Sequence, residues 1–271
     1  AEGNSQQAKR PTINLKGNPM NQKDKATRLA DLHTTGAPLV LYNAWDAGSA
    51  KAIAEAGAPA IATSSWSVAE AQGYRDGEEI QVEFADQIIA RIAATVELPV
   101  TADFEGGYTE DERQLAENIS HLLDLGIVGI NFEDRVVKGS GLYDIDRQTS
   151  RIATIRQAAD QKGIPLFINA RTDLFLGQGN DAELTIDAAL DRAMAYSAAG
   201  ASGFFIPGLQ EESFIARICE GTQLPVNVMV MDGVPAMDCL AEIGVARISY
   251  GPIPYINAMN ALGQEAAKLY S

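Results

Sequence analysis

The 271-residue sequence predicts a (β/α)8 barrel, and three observations lead to this fold class. Eight short apolar runs recur along the chain, Ala-rich amphipathic stretches separate them, and glycine or proline marks many of the junctions. Strands that alternate with helices form parallel sheets, and eight such units over about 250 residues fit a closed barrel. The alternative is a doubly wound open sheet, but no GxGxxG motif follows the first run.

The apolar runs give the predicted strands, in order: LVLYNA (39–44), AIATSS (60–65), VTADF (100–104), GINFED (129–134), LFINAR (166–171), GFFIP (203–207), VNVMV (226–230) and RISYG (247–251). Helical periodicity is clearest over 83–96, 111–125 and 188–200. Glycine at the C′ position stops several helices just before a strand, as in DLGIVGI. Proline does so in ELPV and QLPV, because it cannot continue a helix.

We expect a single catalytic barrel domain over residues 22–271, preceded by residues 1–21. The polar start with Pro11 and Pro19 indicates a flexible arm, or else a non-native addition ahead of a start at Met20. It lacks the apolar segment of a secretory signal. After the eighth run only one helix is expected, over roughly 253–269, so we predict no long swapped C-terminal extension.

The charge balance limits the partners. There are 21 Lys and Arg against 36 Asp and Glu, a formal net charge of −15, which argues against nucleic acid and anionic membrane surfaces. No apolar run approaches the roughly 18 residues of a membrane span. Two cysteines, Cys219 and Cys239, indicate no disulfide framework, so a cytoplasmic location is expected.

Acidic residues collect where predicted strands end, which is the catalytic face of such barrels. Asp103 and Glu105 follow the third strand, and Glu133 ends the fourth. Buried carboxylates repel one another unless a cation or protons intervene, and oxygen ligands without Cys or His favour Mg²⁺, with Mn²⁺ as the alternative. The competing interpretation is a set of ordinary acidic loop residues.

Arg171, at the end of the fifth strand, can hold a carboxylate with two hydrogen bonds or pair with Glu133 or Asp173. The segment 64–66 can offer main-chain N–H groups to an anion. No lysine lies within a predicted strand, so Schiff-base aldolase chemistry is disfavoured.

Four separated motifs, SSWSVAEAQGYRDGE, TADFEGGY, INFEDR and INARTD, carry a family resemblance. From about Pro38 onward the sequence resembles the isocitrate lyase/phosphoenolpyruvate mutase superfamily, most densely its PEP mutase branch. The resemblance implies a (β/α)8 barrel and a Mg²⁺ ion at the barrel mouth. It also implies a small anionic α-keto or 2-hydroxy acid, a pyruvate enolate as the shared intermediate, and a homodimer or homotetramer.

The resemblance also implies roles for individual residues. Asp103 looks like the direct metal ligand, and Asp76, Glu105 and Glu133 look like the acids that hold the metal's waters. The expected substrate-binding residues are Ser64, Ser65, Trp66, Asp103, Arg171 and Asn227. The expected catalytic residues are Arg171, Lys138 and Glu133.

The loop after the fourth strand departs from the family pattern. Family lyases carry a Lys-Lys-Cys-Gly-His type motif there, whereas residues 133–143 read EDRVVKGSGLY, without Cys or His. A standard isocitrate or methylisocitrate lyase is therefore disfavoured. Family mutases carry a lysine followed by an Asn-Ser pair, and here Lys138 and Ser140 occur without the Asn. Gly139 and Gly141 suit a loop that closes over substrate.

We expect a Mg²⁺-dependent enzyme that cleaves a C–C bond at C3 of oxaloacetate or a substituted malate or isocitrate-like acid. The alternatives are P–C chemistry, as a phosphoenolpyruvate or phosphonopyruvate mutase or hydrolase, and a non-catalytic α-keto acid binding protein.

Overall fold

A computed structural model describes residues 20–176 and 182–270. Eight parallel strands form one nearly closed barrel with helices between them, which confirms the predicted fold class. The strands are β1 (Leu39–Leu41), β2 (Ile61–Ala62), β3 (Val100–Asp103), β4 (Gly129–Glu133), β5 (Phe167–Arg171), β6 (Gly203–Phe205), β7 (Val226–Met229) and β8 (Arg247–Ser249). Each pairs with the next in the chain except β1 and β2, while β8 pairs back with β1. A single bridge between Ala44 and Thr63 spans the remaining gap.

The helices surround this sheet, with one helix ahead of β1 and two between β2 and β3. They are α1 (Gln22–Asp31), α2 (Ala47–Glu55), α3 (Ser65–Ala71), α4 (Val82–Thr95), α5 (Glu112–Asp124), α6 (Ile145–Gln161), α7 (Ala182–Ala198), α8 (Glu212–Gly221), α9 (Met237–Glu242) and α10 (Ile253–Tyr270). The prediction for residues 1–21 falls almost wholly on 1–19, which lie outside the described residues.

Several acids near the strand ends cap the N-termini of the helices that follow. The side chain of Asp46 accepts a hydrogen bond from the main-chain N–H of Ser49, and the Ser49 hydroxyl in turn accepts from the N–H of Asp46, so the two form a capping box for α2. The side chains of Asp111 and Asp144 each accept one main-chain N–H and so cap α5 and α6, without the reciprocal bond. A carboxylate at an N-cap satisfies an N–H that has no partner inside the helix. These acids therefore have a structural use.

Side chains alternate across each strand, which separates an apolar outer layer from a polar barrel interior. Ile130 and Phe132 of β4 lie in the main hydrophobic cluster, together with Leu115 of α5 and Ile152 of α6. Asn131 and Glu133, the alternate residues of the strand, take part in polar contacts instead. The alternation places the site residues inside the barrel.

A second apolar cluster closes the end of the barrel where the strands begin. Ala26 and Leu29 of α1 pack there with Leu39, Leu41 and Phe167. The open mouth is therefore at the carboxyl ends of the strands, where the acidic residues lie. Among the described residues, no helix is both long and apolar enough to cross a membrane.

Candidate active site

The predicted acids and Arg171 come together at the barrel mouth. Asp103 ends β3, Glu133 ends β4 and Arg171 ends β5, and Glu133 pairs in register with Arg171. Glu105 lies two residues beyond β3, and the Glu133 N–H donates to its carbonyl oxygen at 3.0 Å. The parallel sheet thus gathers three acids and one guanidinium at one edge.

Asp103 is held by three hydrogen-bond donors. The N–H and the hydroxyl of Ser65 both donate to Oδ2, at 3.0 and 2.8 Å, and Asn131 Nδ2 donates to Oδ1 at 3.2 Å. The Asp103 N–H in turn donates to the Thr63 hydroxyl at 2.8 Å. The orientation of the carboxylate is therefore set by its surroundings.

The segment 64–66 begins α3 rather than continuing β2. The Ser64 hydroxyl accepts from the N–H of Ser67 at 3.3 Å and so caps the helix. The N–H of Ser65, one of the main-chain groups that the segment can offer to an anion, donates to the Asp103 carboxylate. The Trp66 ring lies edge-on to Tyr255 of α10, with ring centroids 6.0 Å apart. In this arrangement Ser65 supports the acid.

Asp76 joins the cluster through the same serine. Its Oδ1 accepts from the Ser65 hydroxyl at 3.4 Å, so Asp76 and Asp103 share one donor. Burial raises the pKa of Asp76, and the nearby charge of Asp103 raises it further. The two acids therefore repel each other across a serine hydroxyl.

Glu105, Glu78 and Tyr108 form a network in strained backbone. The Glu78 N–H donates to Glu105 Oε2 at 2.8 Å, and the Tyr108 N–H donates to Glu78 Oε1 at 2.8 Å. The Tyr108 hydroxyl lies 3.4 Å from Glu105 Oε1. Their φ angles are 57° (Glu78), 47° (Glu105) and 62° (Tyr108), in the left-handed region that costs a non-glycine residue about 1–2 kcal/mol. Such strain collects at functional sites.

Burial and repulsion from neighbouring acids raise the pKa values of Glu105 and Glu133. Burial, then the charges of Asp76 and Asp103, raise the pKa of Glu105 to about 9. Burial raises the pKa of Glu133 to about 8, against the opposing effect of Arg171. A cation among these groups would favour their ionised forms.

The donor set fits a hydrated ion better than a fully protein-ligated one. In the described part of the chain, no three acids, histidines or cysteines are placed to hold one metal ion directly. Mg²⁺ typically keeps several waters and takes only one or two carboxylates directly. One direct acid, with others bonded to the metal's waters, is an arrangement that these residues can provide.

Arg171 is fixed by two acids. Its Nε and Nη2 donate to the two oxygens of Asp173 at 2.6 and 3.0 Å, and Nη1 lies 3.0 Å from Glu133 Oε2. Burial lowers the pKa of Arg171, but Glu133, Asp173 and Asp103 together move it upward overall. A guanidinium has five N–H groups, so these three contacts leave two for another anion.

Asn227 and Lys138 lie apart from the four predicted metal-associated acids. Asn227 is fully buried, and its Oδ1 accepts from the Ser249 hydroxyl at 3.2 Å. Lys138 lies on the rim, with Nζ 3.9 Å from Glu78 Oε2 and 66% of its side chain exposed. Its loop is a small hairpin, in which Arg135 bridges Leu142. Neither residue contacts the four predicted metal-associated acids.

A cavity of about 190 Å³ lies beneath this loop, beside the acids. Glu78, Tyr108, Arg135, Lys138 and Tyr143 are among its lining residues. A larger cavity of about 500 Å³, near His33, Cys219 and Gly244, contains none of the predicted site residues. We regard the smaller one as the space that belongs to the site, because Glu78 and Tyr108 of the acidic network line it.

Sequence reasoning missed Glu78, Tyr108, Asn131 and Arg247. Glu78 and Tyr108 follow glycines in the YRDGE and EGGY segments, which mark tight turns. Asn131 alternates with Glu133 on β4, and this spacing could have shown that the two share a face. No pattern in the sequence indicates that Arg247 lies inside the barrel.

The chain is similar to a described protein family and to proteins of known structure. Residues 29–270 match the family model described as phosphoenolpyruvate phosphomutase. A solved structure of Burkholderia cenocepacia, described as a candidate phosphonomutase, is 44% identical, with a TM-score of 0.88 over 92% of this chain and 99% of that one.

Two curated relatives have named activities. The 2-methylisocitrate lyase of Salmonella typhimurium is 28% identical over 86% of this chain and 79% of its own length. The oxaloacetate decarboxylase of Pseudomonas savastanoi pv. phaseolicola is 30% identical over 66% of this chain and 61% of its own length.

Proposed function

The chain belongs to the phosphoenolpyruvate mutase family of the isocitrate lyase/PEP mutase superfamily, and we propose that it cleaves a C–C bond at C3 of a small anionic acid. The substrate class is an α-keto or 2-hydroxy acid such as oxaloacetate or a substituted malate. The observation that carries the proposal is the convergence of Asp76, Asp103, Glu105 and Glu133 beside Arg171. Relatives with lyase and decarboxylase activities support it.

We propose that the acids hold one Mg²⁺ ion, or Mn²⁺, with Asp103 as the direct ligand and the other three bonded to its waters. When bound, the ion would stabilise negative charge on the C2 oxygen of the substrate as the bond at C3 breaks. The bonds to Ser65 and Asn131 keep Asp103 in one orientation, which avoids reorganisation during reaction.

Arg171 is proposed to bind the pyruvyl portion. Its contacts with Asp173 and Glu133 hold the guanidinium in place and leave two N–H groups for a carboxylate. The segment 64–66 and Asn227 are proposed to contribute to the substrate site. Lys138 and its loop are proposed to cover the substrate, and the adjoining cavity of about 190 Å³ has room for the part that leaves C3.

P–C bond chemistry is the second candidate, because the solved structure that is 44% identical is described as a candidate phosphonomutase. In that case the cationic rim, Arg135 and Lys138, would meet a phosphonate. A third candidate is an α-keto acid binding protein without turnover.

A substrate panel tests the proposal. The protein is incubated with Mg²⁺ and oxaloacetate, substituted malates, methylisocitrate or phosphonopyruvate, and both pyruvate release and phosphoenolpyruvate formation are followed. Pyruvate release from oxaloacetate, a substituted malate or methylisocitrate supports C–C cleavage. Turnover of phosphonopyruvate alone supports the second candidate. Binding without turnover across the panel supports the third.

A second copy of the chain is proposed to cover α10. In this 18-residue helix only Pro254 is buried, while Ile256, Met259, Leu262 and Leu269 are exposed on one side. A group of exposed apolar side chains of this kind marks a candidate protein–protein contact. We propose a homodimer or homotetramer that acts in the cytoplasm.

A further inference from the structure

Arg247 is a fully buried cation inside the barrel. No part of it is exposed, and no carboxylate of the described residues lies within ion-pair distance. Its Nε donates to the Ser249 hydroxyl at 3.2 Å and its Nη2 donates to Asn131 Oδ1 at 3.2 Å, while Nη1 has no hydrogen-bond partner among the residues that the structure describes. A buried charge without a paired acid is costly, so its presence requires an explanation beyond stability.

The contact with Asn131 crosses the barrel from β8 to β4. Asn131 Oδ1 also accepts from Asn169 Nδ2 at 2.8 Å. Arginine has donors only, so its bond fixes the oxygen of the Asn131 amide on the side of Arg247. The amide nitrogen must then face the other way, toward Asp103.

The Asn131 nitrogen makes the contact that this orientation requires. It donates to Asp103 Oδ1 at 3.2 Å, while Ser65 occupies Oδ2. The charge on Arg247 also acts on this acid: burial lowers the pKa of Arg247 to about 10, and Asp103 opposes that shift. A directed chain therefore runs from Arg247 through Asn131 to Asp103.

We infer that Arg247 is a positioning residue for the metal site, which it orients through Asn131. The inference rests on the proposed function, since it takes Asp103 as the direct metal ligand. Second partners of metal-binding side chains typically change metal affinity by roughly 10–100-fold when they are removed. Asn131 is such a partner of Asp103, and Arg247 would change the metal affinity through Asn131 without touching metal or substrate.

The test is Mn²⁺ binding by electron paramagnetic resonance, without substrate, alongside urea unfolding. Arg247→Met should weaken Mn²⁺ binding roughly 10–100-fold, while the free energy of unfolding does not fall, since an apolar replacement for a buried charge is often neutral or stabilising. Arg247→Lys, which keeps the charge and a donor, should recover part of the affinity. An arginine with a purely structural role would show the reverse: lower stability and unchanged affinity.

Arg156→Met is the matched control. Arg156 donates to the main-chain oxygens of Leu166 and Gly200, and its nearest acid is Asp160 on its own helix, so its loss should lower stability without changing Mn²⁺ affinity. The Asn131→Ala background adds a second check. If Arg247 acts through Asn131, Arg247→Met should cost little further Mn²⁺ affinity in that background. Additive losses would show that Arg247 does not act through Asn131.

The outcomes separate this inference from the proposed function. Suppose that the wild type binds Mn²⁺ and Asp103→Asn does not. If the Mn²⁺ affinity of Arg247→Met is then within twofold of the wild-type affinity, the inference about Arg247 is wrong and the metal site stands. If the wild type binds Mn²⁺ no better than Asp103→Asn, the proposed metal site is wrong, and the inference about Arg247 is wrong as well.

Discussion

Ser65 bonds one carboxylate oxygen of Asp103 twice, through its main-chain N–H at 3.0 Å and its hydroxyl at 2.8 Å. Ser65 begins α3, just after β2, and Asp103 ends the neighbouring strand β3; the two residues are 38 positions apart in the sequence. The serine also reaches Asp76, so a small side chain connects two repelling acids. The proposed chemistry depends on this packing of acids, because a cation placed among them relieves the repulsion without protonating them.

Arg171→Met should lower the free energy of unfolding by about 3–5 kcal/mol, measured by urea denaturation. The change leaves Glu133 and Asp173 buried without their counter-charge. Arg113→Met is the control, since its pair with Glu117 is exposed and is expected to contribute less than about 1 kcal/mol. Equal losses in the two variants would contradict the central place of Arg171 in the site.

Gly106→Ala should displace the loop that carries Lys138. A Cβ at this position would lie 2.8 Å from a methyl carbon of Val137, and such overpacking costs about 1–3 kcal/mol. Trypsin should then cleave after Arg135 or Lys138 several times faster than in the wild type. Gly106→Ala/Val137→Ala should restore resistance, and Gly263→Ala, which meets nothing within 4 Å, should leave it unchanged. Failure of the double variant to recover would exclude this steric explanation.

His33 should make the fold less stable below about pH 6.5. Burial, and then the charge of Arg247, lower the pKa of this imidazole to about 3, so the folded state excludes a proton that the unfolded state takes up. Each pH unit between 6.5 and 3 should cost about 1.4 kcal/mol of unfolding free energy from this group.

The measurement is urea unfolding at pH 7.5 and pH 5 for the wild type and His33→Gln. Glutamine can still donate to the Leu29 carbonyl, which His33 Nδ1 approaches at 2.7 Å. The variant should lose about 2 kcal/mol less than the wild type between these two values. Identical losses would show that His33 is protonated as readily in the folded state as in the unfolded state.

Leu262→Glu should dissociate the proposed oligomer, because it puts a charge on the exposed apolar side of α10. Light scattering after gel filtration should show a multimer for the wild type and a monomer for the variant. Gln264→Glu adds the same charge on the other side of the helix and should leave the mass unchanged. A monomeric wild type would mean that a second copy does not cover α10.

The barrel could be predicted from the sequence because its elements repeat. Each strand reads as a short apolar run, and Gly126, Gly163 and Gly244 each end a helix with positive φ, as a C′ residue does. The location of Asp103, Glu133 and Arg171 followed from the rule that parallel strands meet at one edge.

The supporting residues could not be predicted from the sequence, for physical reasons. Asp46 and Asp103 both lie near strand ends, yet one caps a helix and the other faces the barrel mouth, a difference that depends on neighbours distant in the sequence. Glu78 and Tyr108 adopt positive φ without being glycine. In the sequence, Arg247 is a polar residue at the start of a predicted strand. Closure of the barrel places it against Asn131.

The most direct measurement is pyruvate release as a function of Mg²⁺ concentration for the wild type, Asp103→Asn and Asp46→Asn, with oxaloacetate and the substituted malates as substrates. Asn at position 46 still caps α2, so this control removes an acid near a strand end outside the proposed site. We expect release that requires Mg²⁺ in the wild type and in Asp46→Asn, and a loss of at least about 100-fold in Asp103→Asn. Release that continues without a divalent ion, or that survives Asp103→Asn, would contradict the proposal.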